Sequence, residues 1–440
     1  MIVSVRRPRS VLPLLAAAVF TCFLTPNLHA ATVVVGNCKN LVQFASIGAA
    51  ISAVPSGSTI DICPGVYMEQ LAINKNLSFI GVANGTSDGV VILPPTAGLA
   101  TNTTSLSSGN PIAAHVWVLG PATVNFSNLI VDSFGNNVLA CTPDVIGILY
   151  QNASGVLNHI GTRNQWVGTS ENDTNYNGCQ SGLGIYVQSG NSGTSAVTVE
   201  NSSVHDYQKN GITGNEPGTT MTISNNDVTG QGATNGAAEN GIQIGFGATG
   251  TVIGNLVIDD VWAPDTINDT GDAAAGILLY DTSGTPLVKT NTVGNTQYGI
   301  ALVTDTSGEG NGATVSGNRV FGTRIFDGID VCTNSNIIQA NTIMNSSESA
   351  IHLDASCGAF FGGTTGQSNA LSSNTMIDAC TGILADSATN NNNNIGANSY
   401  FAAGTTSGSS CTPTPSHHPN VRKPRTQGGL NGGYRSPARP

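Results

Sequence analysis

The sequence predicts an all-β solenoid, and three observations predict it. One short phrase, Gly-Ile followed by aliphatic residues, keeps returning: Gly276-Ile277-Leu278-Leu279, Gly299-Ile300-Ala301-Leu302, Gly328-Ile329-Asp330-Val331, Ala350-Ile351-His352-Leu353 and Gly382-Ile383-Leu384-Ala385. Between successive copies stands an Asn with an aliphatic two residues later, as in Asn291-Thr292-Val293, Asn318-Arg319-Val320, Asn341-Thr342-Ile343 and Asn374-Thr375-Met376. Charged residues are only 9% of the chain and Gly is abundant at 54 residues, yet Val, Ile and Leu recur in short alternating runs. Such a composition suits short strands joined by tight turns, and two strands per period is the mark of stacked coils.

Residues 1–30 read as an export leader. Arg6, Arg7 and Arg9 precede an apolar run from Val11 to Leu24, with cleavage expected after Ala30. That run is too short for a membrane span, and no later stretch approaches the roughly 18 apolar residues one requires. The expected mature chain is therefore soluble and secreted, periplasmic or on the cell surface. Without the leader, 12 basic residues face 26 acidic ones, a net charge of −14. The last 29 residues hold five of those basic groups and no acid, so the body carries −19. This body repels nucleic acid, anionic membranes and, unless a cation intervenes, acidic polysaccharides.

Cys22 leaves with the leader and eight cysteines remain: Cys38, Cys63, Cys141, Cys179, Cys332, Cys357, Cys380 and Cys411. An even number in an exported chain predicts disulfides; neighbour pairing is the simplest of 105 connectivities, Cys38 to Cys63 above all.

The elements follow in order. Thr32–Val35 reads as a strand, and Leu41, Phe44, Ile47, Ile51 and Val54 fall at helical spacing before Pro55, predicting one short amphipathic helix. Ser58–Ile62 alternates as a strand, residues 64–67 read as a turn into Leu71–Ile73, and Leu77–Gly81 is a further strand. From Ala122 onward the repeat takes over. Its Gly-Ile phrase stands at 147, 184, 211, 241, 276, 299, 328, 350 and 382, in steps of 22 to 37 residues, with the longer steps carrying loops. Irregular excursions are expected at 94–111, across Cys141 to Cys179, and between Asp259 and Asp272. The periodicity fades after Ile395, and residues 411–440 read as a flexible Pro, Gly and Arg-rich tail.

The physical reason for the repeat is that one coil cannot bury its own aliphatic face, whereas stacked coils align Ile on Ile while parallel pairing satisfies the backbone. Gly before Ile is expected to permit a corner conformation. The Asn is expected to tolerate the left-handed region and to hydrogen-bond to the Asn of the next coil.

The residues from Ile47 to Gly81, reading I-x-x-A-I-x-x-x-P-x-G-x-T-I-x-I-x-P-G-x-Y-x-E, resemble the opening coil of the pectin-lyase-like right-handed β-helix proteins. The resemblance extends over the mature chain to about residue 405. It implies a single-stranded right-handed parallel β-helix over residues 31–410, with the amphipathic helix capping its N-terminal end. That superfamily includes polysaccharide lyases, glycoside hydrolases, epimerases, phage tailspikes and non-enzymatic surface proteins, so it implies a polysaccharide partner without fixing a reaction.

If Ile of the Gly-Ile phrase points inward, the next residue points out, giving a column of Leu149, Tyr186, Thr213, Gln243, Leu278, Ala301, Asp330, His352 and Leu384. Its charged members fall together. With Asp327, Glu348, Asp354 and Asp386 they form an acid and histidine cluster over about three coils. Neighbours there would be about 5 Å or 10 Å apart, a range that brackets the carboxyl separations of glycoside hydrolases. Asp327, Asp330, Glu348, His352 and Asp354 are therefore the expected catalytic residues. Asp386 is the expected substrate contact, and Ca²⁺ is the cation such acids would hold.

Asp327-Gly328-Ile329-Asp330 resembles the Asp-Gly-Ile-Asp element of polygalacturonases, a family that continues with an Asp-Asp pair, a Gly-His-Gly and an Arg-x-Lys. Here Glu348-Ser349 stands in place of the Asp pair and the later motifs are missing. A second candidate is Trp262, set among Asp259, Asp260, Asp265, Asp269 and Asp272, as a platform on which a sugar ring would stack. Two function classes follow: a polysaccharide lyase, glycoside hydrolase or epimerase, and a non-enzymatic carbohydrate-binding scaffold.

Overall fold

The computed structural model describes residues 29–83, 89–170, 173–234, 236–262, 273–387 and 392–401. Most of the expected leader, the tail, Cys411, Asp265, Asp269 and Asp272 lie outside the described residues.

Each coil contributes one strand to a first sheet, which carries the Gly-Ile phrase, and two strands to a second sheet that bends around the rest of the coil. Pairing between coils is parallel throughout; the short strand Thr103–Thr104, antiparallel to Pro111–Leu119, is the one exception among the described residues. The expected register is found. Ile148, Ile185, Ile212, Ile242, Ile277, Ile300, Ile329, Ile351 and Ile383 stand on one another in successive coils. They are buried in one continuous core together with Val228, Val257, Val293, Val320, Ile343 and Met376 of the second sheet.

The role of the glycines differs from the expected one. Gly211, Gly241, Gly276, Gly299 and Gly328 are absent from the positive-φ residues, so no special corner conformation calls for them. Space does. A Cβ at Gly299 would sit 2.4 Å from the Gly328 carbonyl oxygen and 2.4 Å from Val320 Cγ1, and one at Gly328 would sit 2.3 Å from Ile343 Cγ2. The first sheet therefore packs its backbone directly against the valine column of the second.

The Asn phrase forms a ladder along the inside of one corner. Asn226, Asn255, Asn291, Asn318, Asn341 and Asn374 each donate a backbone N–H and an Nδ2–H to the Oδ1 of the next member, at 2.9–3.0 Å, ending on Asn398. The second Nδ2–H reaches back to a carbonyl of the preceding coil, as from Asn291 to Val252. Buried amides are thereby satisfied on every side. The left-handed conformation expected of these asparagines falls instead on the residue before, at Asn225, Gly254, Thr290, Gly317, Ala340 and Ser373. The corner turns there so that the Asn can point inward.

At the N-terminal end the helix is shorter than expected, spanning Ile47–Ala53, because Gln43–Phe44 pairs as a strand with Val34 and Val35. Ser46 caps it and the Glu69 carboxylate accepts from the Ile47 and Gly48 amides at 2.7 and 2.8 Å. The expected turn at 64–67 is also corrected, since Gly65–Met68 is a strand paired with Val90–Leu93. Three neighbour disulfides join Cys38–Cys63, Cys141–Cys179 and Cys332–Cys357. They fit an oxidising compartment. Among the described residues no helix is long and apolar enough to cross a membrane.

The ladder gives a direct test. Asn291→Ala strands the Asn255 backbone and side-chain donors in the core, and should lower stability by about 2–4 kcal/mol, read as a shift in the urea midpoint. A loss under about 0.5 kcal/mol would show that the amides do not tie the coils together.

Candidate functional site

The column expected to point outward does so, in the expected register: Leu149, Tyr186, Thr213, Gln243, Leu278, Ala301, Asp330, His352 and Leu384 align through the first sheet. It is not, however, an open face. Every member but Leu384 is buried. Leu149, Tyr186, Ile146 and Leu183 form one satellite core with Trp117, and Leu278, Tyr280, Tyr298 and Ala301 form another with Phe246, Phe326 and Phe360. Excursions from the coils supply part of the cover. Gln188 reaches across to Ser105 and Ser107 at 3.0 Å and accepts from the Leu106 amide, and Phe326 stacks on Tyr298 at 4.5 Å between ring centroids. Buried apolar area on this outer side makes a second layer of packing that strand alternation alone does not reveal.

At the lower end of the column the expected site residues come together. Asp327 precedes its strand, and its Oδ1 accepts from the Ser349 amide at 3.1 Å and the Ser349 hydroxyl at 2.5 Å. Its Oδ2 lies 3.2 Å from His352 Nδ1, and His352 Nε2 lies 3.3 Å from Asp386 Oδ1. Asp386 Oδ2 accepts from the Ala355 amide, and Asp354 accepts from the Ser356 amide. Asp330 stacks directly above His352. Two groups, Asp327 with Asp330 and His352, and His352 with Asp354 and Asp386, each bring three ligand-type atoms within 4.8 Å of one another. Glu348, next to Ser349, is half-buried; Trp262 ends the strand Leu256–Trp262 of the second sheet, outside this cluster.

The electrostatics follow from burial. Burial of His352 works against its charged form, but the Asp327 and Asp354 carboxylates and hydrogen bonds to Asp327 and Asp386 outweigh it and hold the ring well above its ordinary pKa. Burial pushes Asp386 up, while its hydrogen bond to His352, the charge of that ring and the Ala355 amide bring it down to about 2. The two shifts agree on a proton held by the imidazole between two carboxylates. The order is Ser349, Asp327, His352, Asp386. Since the serine hydroxyl donates to the aspartate and not to the ring, it is not activated as a nucleophile by a base. The donor set of each group mixes carboxylate oxygens with an imidazole nitrogen, whereas Ca²⁺ takes oxygen ligands.

The second candidate is corrected by the fold. Asp259 and Asp260 belong to a strand, not a loop, and Asp260 is fully buried, accepting from the Tyr207 hydroxyl at 2.6 Å. Burial and the Asp260 charge push Glu239 well above its ordinary pKa, and Lys209, also fully buried, opposes this. The signal for this cluster lies in two consecutive phrases, Lys209-Asn210-Gly211-Ile212 and Glu239-Asn240-Gly241-Ile242. Pairing Asn210 with Asn240 stacks opposite charges on adjacent coils. Asp281 is likewise drawn up, to about 7, by burial and a hydrogen bond with Asp305.

No family model matches the sequence, and no curated protein matches it. Solved structures do match its shape. A GH136 lacto-N-biosidase from Eubacterium ramulus superposes with a TM-score of 0.54 at 11% identity, over 84% of this chain and 68% of that one. The Dettilon tailspike protein gives 0.49 at 17% identity over 81% of this chain, which spans 64% of the tailspike's length. Pectate lyase Pel9A gives 0.43 at 16% identity, over 84% and 79%. At these identities the likeness shows the fold alone. The fold is a right-handed parallel β-helix with a short helix at its N-terminal end.

The histidine is testable apart from any activity. Asp386→Asn should lower the His352 pKa while Asp327 keeps it above the ordinary value, read by NMR titration of the ring. Because its folded pKa is raised, the ring contributes stability that is fully present below about pH 6.5 and is lost as pH rises through the folded value. The stability gap between the parent and His352→Gln should therefore narrow in alkaline solution.

Proposed function

We propose that the chain is an exported glycoside hydrolase acting on a neutral glycan, with residues 1–30 removed, residues 31–410 as the working domain, and His352 as general acid. The observation that carries this reading is the line Asp327, His352, Asp386. One carboxylate holds Nδ1 from the buried side, and the other meets Nε2 at the half-exposed edge of the cluster. A substrate oxygen displacing Asp386 from Nε2 would meet an imidazolium whose orientation and charge Asp327 already fixes. As the glycosidic C–O bond breaks, its electron pair passes to the leaving oxygen, which takes the Nε2 proton; a water oxygen bonds to the anomeric carbon in its place and releases a proton to solvent, from which the neutral ring is reprotonated. Asp330, Glu348 and Asp354 are the carboxylates available to meet the positive charge developing on the sugar, and Asp386 is the substrate contact. A neutral glycan is favoured because the acidic body repels uronates and the donor set does not suit the Ca²⁺ that would screen them.

The second reading, a carbohydrate-binding scaffold, is favoured by another observation: both ring nitrogens of His352 are engaged by carboxylates and the residue is only 4% exposed. There the cluster would be a fixed ion-pair node.

A panel of neutral glycans, polygalacturonate and alginate separates the two. His352→Gln should cost about 10²–10⁴ in kcat and Asp327→Asn about 10². Activity in the parent should hold through neutral pH and fall on the alkaline side, as the raised pKa requires. Full turnover by His352→Gln removes the general acid. Glycan binding without turnover in the parent selects the scaffold.

A further inference from the structure

One of the three disulfides lies at the acid and histidine cluster. Cys332 ends the strand Ile329–Cys332, shortly after Asp330, and Cys357 follows shortly after Asp354. Both cysteines are buried, packed with Leu278, Tyr298 and Ala301 alongside Phe360. The two coils they join are already held by the parallel ladder, in which Ile329–Val331 pairs with Ile351–Leu353. What the bond adds is a hold on the chain beyond that ladder.

The ladder ends with the Asp354 amide, which donates to the Val331 carbonyl at 3.1 Å. The chain then turns away from the sheet, and its next two amides both serve the cluster: Ala355 donates to Asp386 Oδ2 at 3.1 Å and Ser356 to Asp354 Oδ1 at 2.7 Å. Cys357 comes next, its amide 3.1 Å from Cys332 Sγ. Facing His352 are Asp327 and Asp330 of the coil before it, Asp354 of its own coil and Asp386 of the coil after. One imidazolium therefore meets four carboxyl groups. Their mutual repulsion favours spreading, and amides on an untethered turn would follow the carboxylates outward instead of restraining them. A covalent bond at the residue after the donors keeps the donors, and with them Asp354 and Asp386, at hydrogen-bond distance.

We infer that the Cys332–Cys357 disulfide is the clamp of this cluster: it fixes the turn after Asp354 so that the Ala355 and Ser356 amides hold Asp386 and Asp354 in place beside His352. Cys332 and Cys357 are thereby positioning residues for the general-acid reading above, on which the inference rests for its purpose but not for its test.

The test reads the ring and not turnover, so it decides whether or not the chain hydrolyses a glycan. In the full chain carrying Cys332→Ala and Cys357→Ala, the His352 titration midpoint followed by NMR should fall as far as it does in Asp386→Asn. Combining all three substitutions should lower it no further, since both changes take the same carboxylate from the ring. The Ala355 and Ser356 amides should exchange at least about tenfold faster while those of Tyr298–Val303 keep their protection. A midpoint equal to the parent's, or effects that add in the combined variant, would show that the disulfide only stabilises the coils and would overturn the inference. If the cysteine variant does not fold, the folded parent is titrated before and after reduction, with free Cys332 and Cys357 thiols confirmed by mass spectrometry; a midpoint that stays put once both are free overturns the inference equally.

Discussion

Coil-to-coil register is the constraint on which the rest of this molecule depends. Parallel pairing alone would permit a slip, since the backbone ladder looks much the same at every residue. The buried amides do not. Each ladder asparagine meets the next at one position only, and a slip would strand several donors in an apolar core. The glycines act with them, because Gly299 and Gly328 let the first sheet approach the valines of the second more closely than any side chain allows. Together these two residue types fix both the rise and the width of each coil.

With the register fixed, residues one after Ile stack whatever their chemistry, and the cluster at Asp330 and His352 follows from that. In most of the column the occupants are apolar or amide, and packing or hydrogen bonds absorb them. Only over the 327–386 stretch does stacking confine acids with a histidine, and there one proton resolves the repulsion by residing on the ring between Asp327 and Asp386. The interior cluster arises similarly from Lys209 and Glu239 at equivalent slots of adjacent coils, with Asp260 meeting them from the second sheet.

The sequence displays periodicity well and cover poorly. The Ile column, the Asn ladder, the N-terminal helix and three neighbour disulfides are legible because each depends on spacing within the chain. The same spacing brings Asp327, Asp330, His352, Asp354 and Asp386 together correctly. What could not be read is that this outer face is buried, since burial there depends on where the excursions fold back, as Ser105 and Ser107 do onto Gln188. Nor could Asp260 be assigned to the interior, because alternation places it on the surface unless Asp259 is known to turn the strand through a positive φ.

The asparagine ladder has a direction. From Asn226 to Asn374 every member donates to the asparagine on its C-terminal side, and Asn398 accepts the last of these bonds, so the amide dipoles add along the solenoid axis instead of cancelling. Hydrogen bonds in such a row polarise one another, and a member in the middle is held more strongly than one at either end. The ladder is thus asymmetric along its length in a way the repeating outline conceals: its middle members are held most tightly, and its ends at Asn226 and Asn398 are the places where it would begin to open.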